Sequence, residues 1–255
     1  MKSFIRALIA EYHKANNSLA MWLALLGTSG IIVAFLAVLF FGTTEFLPQA
    51  DEHPWHNFLL LYYEATAFML LPLFAIIMAA LICYIEHRYG MWKHLFVIAV
   101  SRTQIYLSKL LFAYLFIAVA HLFFISMMLI SAAILGVFRP ELGLLDQEPD
   151  FALLLKLAFK TLLSVAGMLA LQFWVSMRFR SFIVALGVGV IGFVICSLLL
   201  EWPYIMYIPY AHPLLYLEGV TNAPLVGSLE VLSMGYFFVF GILGVLDFKR
   251  LQLGI

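Results

Sequence analysis

The chain has 255 residues, 65% of them hydrophobic and 11% charged, with 14 Lys+Arg balanced by 14 Asp+Glu. Soluble domains carry about 25% charged residues, so this composition excludes a surface kept in water and describes an integral membrane protein. The lack of a basic excess argues against a nucleic-acid partner, and two cysteines, Cys83 and Cys196, make no disulfide framework.

The chain opens with Met1, Phe4, Ile5, Leu8, Ile9 and Tyr12 at helical spacing, flanked by Lys2, Arg6, His13 and Lys14. This pattern predicts an interfacial helix over residues 1–17, along the inner leaflet. Six runs without Asp, Glu, Lys or Arg follow: Leu19–Gly42, Ala65–Tyr84, Leu110–Phe138, Thr161–Met177, Phe182–Leu200 and Val231–Leu246. Each is near the roughly 20 residues that cross about 30 Å of hydrocarbon. None alternates like a barrel strand, so the expected class is all-α, with six transmembrane helices in one membrane domain over 1–255. Leu19–Gly42 is too long for the apolar core of a cleavable signal and is expected to stay as a span. The 29-residue third run must tilt or protrude, and the 16-residue sixth needs flanking help. Pro72 predicts a kink in the second span.

Orientation follows from loop charge. With the N-terminus inside, 11 of the 14 basic residues lie on the inner side, leaving Arg139, Lys156 and Lys160 outside. The only inner acids are then Glu11, Glu86 and Asp247. A bias of this size puts both termini in the cytoplasm. The same topology sends Cys83 and Cys196 to opposite leaflets, too far apart to bridge. Thr43–Glu64 and Arg139–Lys160 are expected as short acidic outer loops. The connection over 201–230 holds Trp202, Tyr204, Tyr207, Tyr210 and Tyr216 among four prolines. It reads either as short re-entrant helices or as an interfacial aromatic belt.

The segment between spans two and three (85–109) carries most of the functional signal. After Glu86-His87-Arg88, Gly90 breaks the helix. Met91–Val100 is then a short amphipathic stretch with Trp92, Leu95 and Phe96 toward one face and Lys93 beside them. Ser101 with Gln104 fits a capping box, and Arg102 and Lys109 mark the membrane edge. Glu86 and Arg88 are suited to steering at the rim of such a loop. An apolar knob of this kind in a solvated loop indicates a docking surface.

The pattern Glu86-x-x-x-Gly90-x-Trp92-Lys93-x-Leu95, then Ser101-Arg102 and Tyr106-x-x-Lys109, resembles the cytoplasmic loop of type-2 ABC transporter permeases. The lantibiotic-immunity and bacitracin-type export permeases are the most similar group, although Met91 stands where they commonly carry Thr. Glu11-x-x-Lys14-x-x-x-Ser18-x-x-x-Trp22-Leu23 is similar to that group's entry into its first span. The resemblance implies that Met91–Val100 is a coupling helix seated on a separate ATPase, present in two copies and holding the ATP and magnesium. It also implies a second permease copy or a sister permease, a bacterial cytoplasmic membrane, and outward movement of an amphipathic substrate such as an antimicrobial peptide. No Gly-x-x-x-x-Gly-Lys-Ser/Thr occurs, so this chain is not expected to bind ATP phosphates itself. The rival reading is a stand-alone membrane protein, a lipid-modifying enzyme or accessory bundle, that would not need the knob.

Other motifs carry less. Gly187-Val188-Gly189-Val190-Ile191-Gly192 matches a dinucleotide fingerprint literally, but it lies inside a span; Ala185 and Gly189 are expected to let helices approach closely. Asp51-Glu52-His53-Pro54-Trp55-His56 contains metal-ligand types without a helical presentation, and no metal is assigned. His121 and Gln172, polar within spans, are candidates for a translocation path or for helix–helix hydrogen bonds. Lys156 and Lys160 are expected at the outer mouth, attracting anions or snorkelling. The spans hold no paired acids and no Ser-His-Asp or His-Glu-x-x-His arrangement, so no catalytic residues are assigned.

Overall fold

The computed structural model describes residues 2–15, 19–42, 53–88, 101–217 and 220–250, and among them there is helix but no strand. In chain order these are α1 (Lys2–Ala15), α2 (Leu19–Phe41), α3 (Pro54–Ala65), a π turn (Thr66–Leu70), α4 (Leu71–Arg88) and α5 (Arg102–Phe138). Then come α6 (Phe151–Arg178), α7 (Phe182–Leu198), 3-10 turns at Ile205–Tyr207 and Pro209–Ala211, α8 (His212–Leu215) and α9 (Ser228–Arg250). Five helical stretches are long and apolar enough to span a membrane: α2, α3–α4, α5, α6 and α9. The shorter apolar α7 packs among them, against α4 and α6. The protein is therefore a multi-pass membrane protein. Its helices present large apolar side chains outward, Ile183, Ile191 and Leu198 on α7 among them, as a lipid-facing surface requires.

Several boundaries differ from the sequence expectation. The first outer loop is in part a helix: Trp55, Phe58, Leu59, Tyr62 and Tyr63 are buried on one face of α3, which runs on through the π turn into α4. Their 3- and 4-residue spacing was the signal; Glu64, by ending the charge-free run, masked it. Likewise α6 begins at Phe151, one residue after Asp150, whose carboxylate accepts from the Leu153 N–H. That hydrogen bond, with His56 nearby, holds the Asp150 carboxyl below its ordinary pKa against the opposing effect of burial. α5 is the long span at 37 residues, about 55 Å, more than the hydrocarbon core needs, as expected. The 16-residue sixth run is lengthened by flanking residues, Glu230 and Asp247 among them, into the 23-residue α9. Among the described helices built on the six charge-free runs, α7 is the shortest, with 17 residues.

The irregularity expected at Pro72 sits one turn earlier. Proline offers no N–H and crowds the carbonyl four residues back. The helix widens ahead of it, the Leu71 N–H reaching the Thr66 carbonyl, while Thr66 Oγ1 donates to the Tyr62 carbonyl at 2.8 Å.

The 201–217 connection folds back into the bundle. Tyr210 lies against Gly192, six residues inside the end of α7, where a Cβ would come within 3.2 Å of its ring. Its hydroxyl donates to Gln172 Oε1 at 2.5 Å, and Gln172 Nε2 donates to the Ala185 carbonyl at 2.9 Å. Six residues of helix are about 9 Å, so this aromatic side chain reaches well inside the helix end. The Gly189 expectation holds: a Cβ there would meet Ile76 Cγ2 at 2.5 Å and Gln172 Oε1 at 2.7 Å. Gly189→Val should therefore separate α7 from α4 and α6. A loss of about 2–3 kcal/mol, read as a lowered midpoint in a detergent thermal melt, is the expected result.

Candidate functional site at the basic end of the bundle

Arg88, Arg102, Lys109, Arg178, Lys249 and Arg250 gather at one end of the helices, and there the charges interlock. Glu11 and Lys14 come from the last turns of α1, Glu86 from the last turn of α4, and Lys109 from the third turn of α5. Lys109 Nζ donates to Glu86 Oε1 at 2.6 Å and to Glu11 Oε1 at 2.8 Å. Lys14 Nζ donates to the same two oxygens, at 2.7 Å and 3.1 Å. Two ammonium groups thus each bridge two carboxylates in a neutral ring. Its interior is dry: the Lys109 side chain is 0% and the Glu86 side chain 1% exposed. A lone charge at such a place would be very costly, and the alternating signs offset that cost, although Glu86 Oε2 is buried without a hydrogen-bond partner among the described residues. Burial pulls the Lys14 ammonium toward a lower pKa, but Glu11 and Glu86 outweigh it, and its pKa stands above the ordinary lysine value.

The ring continues into the neighbouring helices. Tyr106, one turn before Lys109, is fully buried edge-on to Phe173 of α6, and a Cβ on Gly244 of α9 would collide with its hydroxyl. Arg102 Nη1 donates to the Lys249 carbonyl at 2.8 Å, satisfying the end of α9. Asp247 accepts from Arg178 at 2.8 Å and from Trp174 at 3.1 Å, tying α9 to α6. Ser101 caps α5 as expected, its Oγ accepting from the Gln104 N–H at 3.3 Å. The ends of α1, α4, α5, α6 and α9 are thereby bound into one polar network.

The expected coupling residues Gly90, Met91, Trp92, Lys93, Leu95 and Phe96 lie outside the described residues. Their flanks are described. Arg88 is exposed on the last turn of α4, and Arg102 opens α5. Glu86, expected at the loop's rim, is instead wholly buried in the ring, because Lys14 and Lys109 draw it inward.

The weaker candidates are placed as follows. His121 is buried against Tyr63 and Phe124 and lines a cavity of about 30 Å³ with Thr28 and Thr66, room for one or two waters. Gln172 uses its amide on Tyr210, Ala185 and Ser176. Both are buried inside the bundle. Lys156 donates to the Thr221 carbonyl at 3.1 Å. Lys160 does not face an aqueous mouth: it is 3% exposed and paired with Glu230 at 2.7 Å. His56 pairs with Asp150 at 2.7 Å, and among the described residues no group of three or more His, Cys, Asp or Glu is gathered for a metal. Cys83 and Cys196 are free and buried.

The Lys109 ring and the Lys160–Glu230 pair were both missed by sequence reasoning. Each joins residues 70 or more apart in the chain or bridges several helices. The available signal was a charged residue bordering a charge-free run at helical phase with the apolar face.

A search of curated proteins finds no match. A family model does match, described as ABC-2 family transporter protein and covering residues 7–196, from α1 almost to the end of α7. That span takes in all four members of the charged ring and the segment between α4 and α5, and the chain belongs to the ABC-2 family of transporter proteins.

Proposed function

We propose that this chain is the membrane subunit of an ATP-driven exporter, with its basic end in the cytoplasm and Met91–Val100 seated on a separate ATPase. Family membership supports a permease role. The observation that carries the finer reading is the ring: Glu11, Lys14, Glu86 and Lys109 converge where α4 and α5 lead into and out of residues 89–100. Motion delivered to that loop would enter α1, α4 and α5 together, because the ring joins them. Trp92, Leu95 and Phe96 supply the apolar contact, and Arg88 and Lys93 the charge at its rim. The working unit is a pair of permeases on two ATPases, in a bacterial cytoplasmic membrane, with both termini inside. The substrate is an amphipathic compound moved outward, of the antimicrobial-peptide class if the likeness to the lantibiotic-immunity and bacitracin-type permeases extends to cargo. The stand-alone reading has no comparable support.

The test is gentle purification of the tagged chain from its native membrane, with mass spectrometry of what accompanies it. A near-stoichiometric ABC ATPase is expected, lost in the Trp92→Ala/Phe96→Ala variant while the chain itself remains folded. Absence of an ATPase in several mild detergents, or its full retention by the double variant, would overturn the coupling assignment.

A further inference from the structure

The apolar face of α1 does not close on the bundle. Between α1, α2 and α5 lies a groove of about 480 Å³, within the roughly 300–1,000 Å³ range of ligand pockets. Tyr12, Ala15, Ala24, Phe112, Ala120 and Phe123 are among its lining residues, and no charged side chain lines it. The geometry has a clear origin. Lys109 pins α1 to α5 through Glu11 on one side, while the small side chains of Ala15, Ala24 and Ala120 leave the wedge on the other side unfilled.

Two features identify what fills it. The first is length. On α5 the groove runs from Phe112 to Phe123, about 16 Å of helix, half of the roughly 30 Å hydrocarbon core and so the depth of one leaflet. The second is charge. Arg6, Ile9 and His13 share a helix face by their spacing of three and four, Ile9 lines the groove, and Arg6 and His13 are exposed. The His13 ring packs edge-on to Tyr12, another lining residue, at 5.7 Å. The rim is therefore basic and the interior apolar.

We infer that this groove is a binding site for one acyl chain of an anionic phospholipid in the leaflet at the basic end, with its phosphate held by Arg6 and His13. Anionic headgroups are attracted to basic segments at a membrane surface, and each buried methylene adds to retention. A cationic amphipath would be repelled by the same rim. A lipid seated here touches α1, α2 and α5 at once and acts as a wedge that holds α1 at its angle. The inference goes beyond the transport reading and does not depend on it.

The test uses the intact chain, delipidated, reconstituted in nanodiscs of equal phosphatidylglycerol and phosphatidylcholine, re-extracted mildly and weighed by native mass spectrometry. About one phosphatidylglycerol per chain should be retained in preference to phosphatidylcholine, and Ala120→Phe should lower that retention about tenfold. Val119→Trp, at a lining position that is 65% exposed and tolerant of bulk, should act in the same direction. Arg6→Gln/His13→Gln should keep a bound lipid but lose the preference for the anionic one. Equal retention of the two lipids by the unmodified chain, or unchanged retention in both filled variants, would overturn the site. So would finding that the chain taken directly from its native membrane carries a non-lipid amphipath displaced by Ala120→Phe.

Discussion

Lys109→Met should cost about 3–5 kcal/mol, the range for breaking a buried ion pair from one side. The ammonium has 0% exposed side chain and is shared by Glu11 and Glu86, so its loss leaves two carboxylates facing each other with only Lys14 between them. Methionine preserves the stem's volume, which separates the charge effect from packing. The check is a thermal melt in detergent, followed by tryptophan fluorescence. Lys14→Met should be milder, because that side chain is 29% exposed and water reaches it. The decisive variant is Lys109→Met/Glu86→Gln, which removes one charge of each sign and leaves Glu11 with Lys14. If the four groups act as one ring, the double variant recovers at least about 2 kcal/mol relative to the sum of the singles. Strict additivity would mean that the ring is a set of independent contacts. On the proposed reading, Lys109→Met also uncouples ATP hydrolysis from transport, while the neutral double variant retains more of it.

The sequence made the bundle legible because lipid imposes a simple rule. A run without charges, near twenty residues long, is a span, and such runs locate α2, α4–α6 and α9 to within a few residues at most ends. Where polar residues intrude the rule fails. α3 extends the second span for eleven residues ahead of the first charge-free position, Ala65, hidden by Glu64, His56 and Asn57. The glycine at 189 could be read as a packing residue from its place in a span, but not that Ile76 and Gln172 occupy the space it leaves. The ring shows the limit most clearly. Glu11, Lys14, Glu86 and Lys109 each border an apolar stretch, and each alone is consistent with an interfacial charge. Only the fold brings positions 72 and 98 residues apart within 2.7–2.8 Å. Charge bias marks which end they occupy and says nothing about pairing.

At the opposite end, Lys160→Met and Glu230→Ala should each destabilise by about 3–5 kcal/mol, for related but separable reasons. Glu230 divides its carboxylate: Oε1 accepts from Lys160 Nζ at 2.7 Å, and Oε2 accepts from the Gly227 N–H at 2.7 Å. The second contact is the backward half of a capping box, with the acid at the third helical position reaching the N-cap amide. Lys160→Met keeps the cap and strands a 1%-exposed carboxylate; Glu230→Ala strands the lysine and also frees the start of α9. The Lys160→Met/Glu230→Gln variant buries no net charge and keeps an acceptor for Gly227, so it should melt within about 1–2 kcal/mol of the unmodified chain. Beneath this pair, Ser233 Oγ donates to the Ser164 carbonyl at 2.9 Å and accepts from the Gly167 N–H at 3.0 Å. A Cβ on Gly167 would come 2.7 Å from the Ser233 carbonyl oxygen, so the α6–α9 seam has no slack. That rigidity gives the test its second readout. If the charge pair fixes where α9 begins, protection of the Ser164 and Gly167 amides from hydrogen exchange should fall in either single variant and return in the neutral double. Unchanged protection in both single variants would mean that the serine–glycine seam holds the two helices without help from the ion pair.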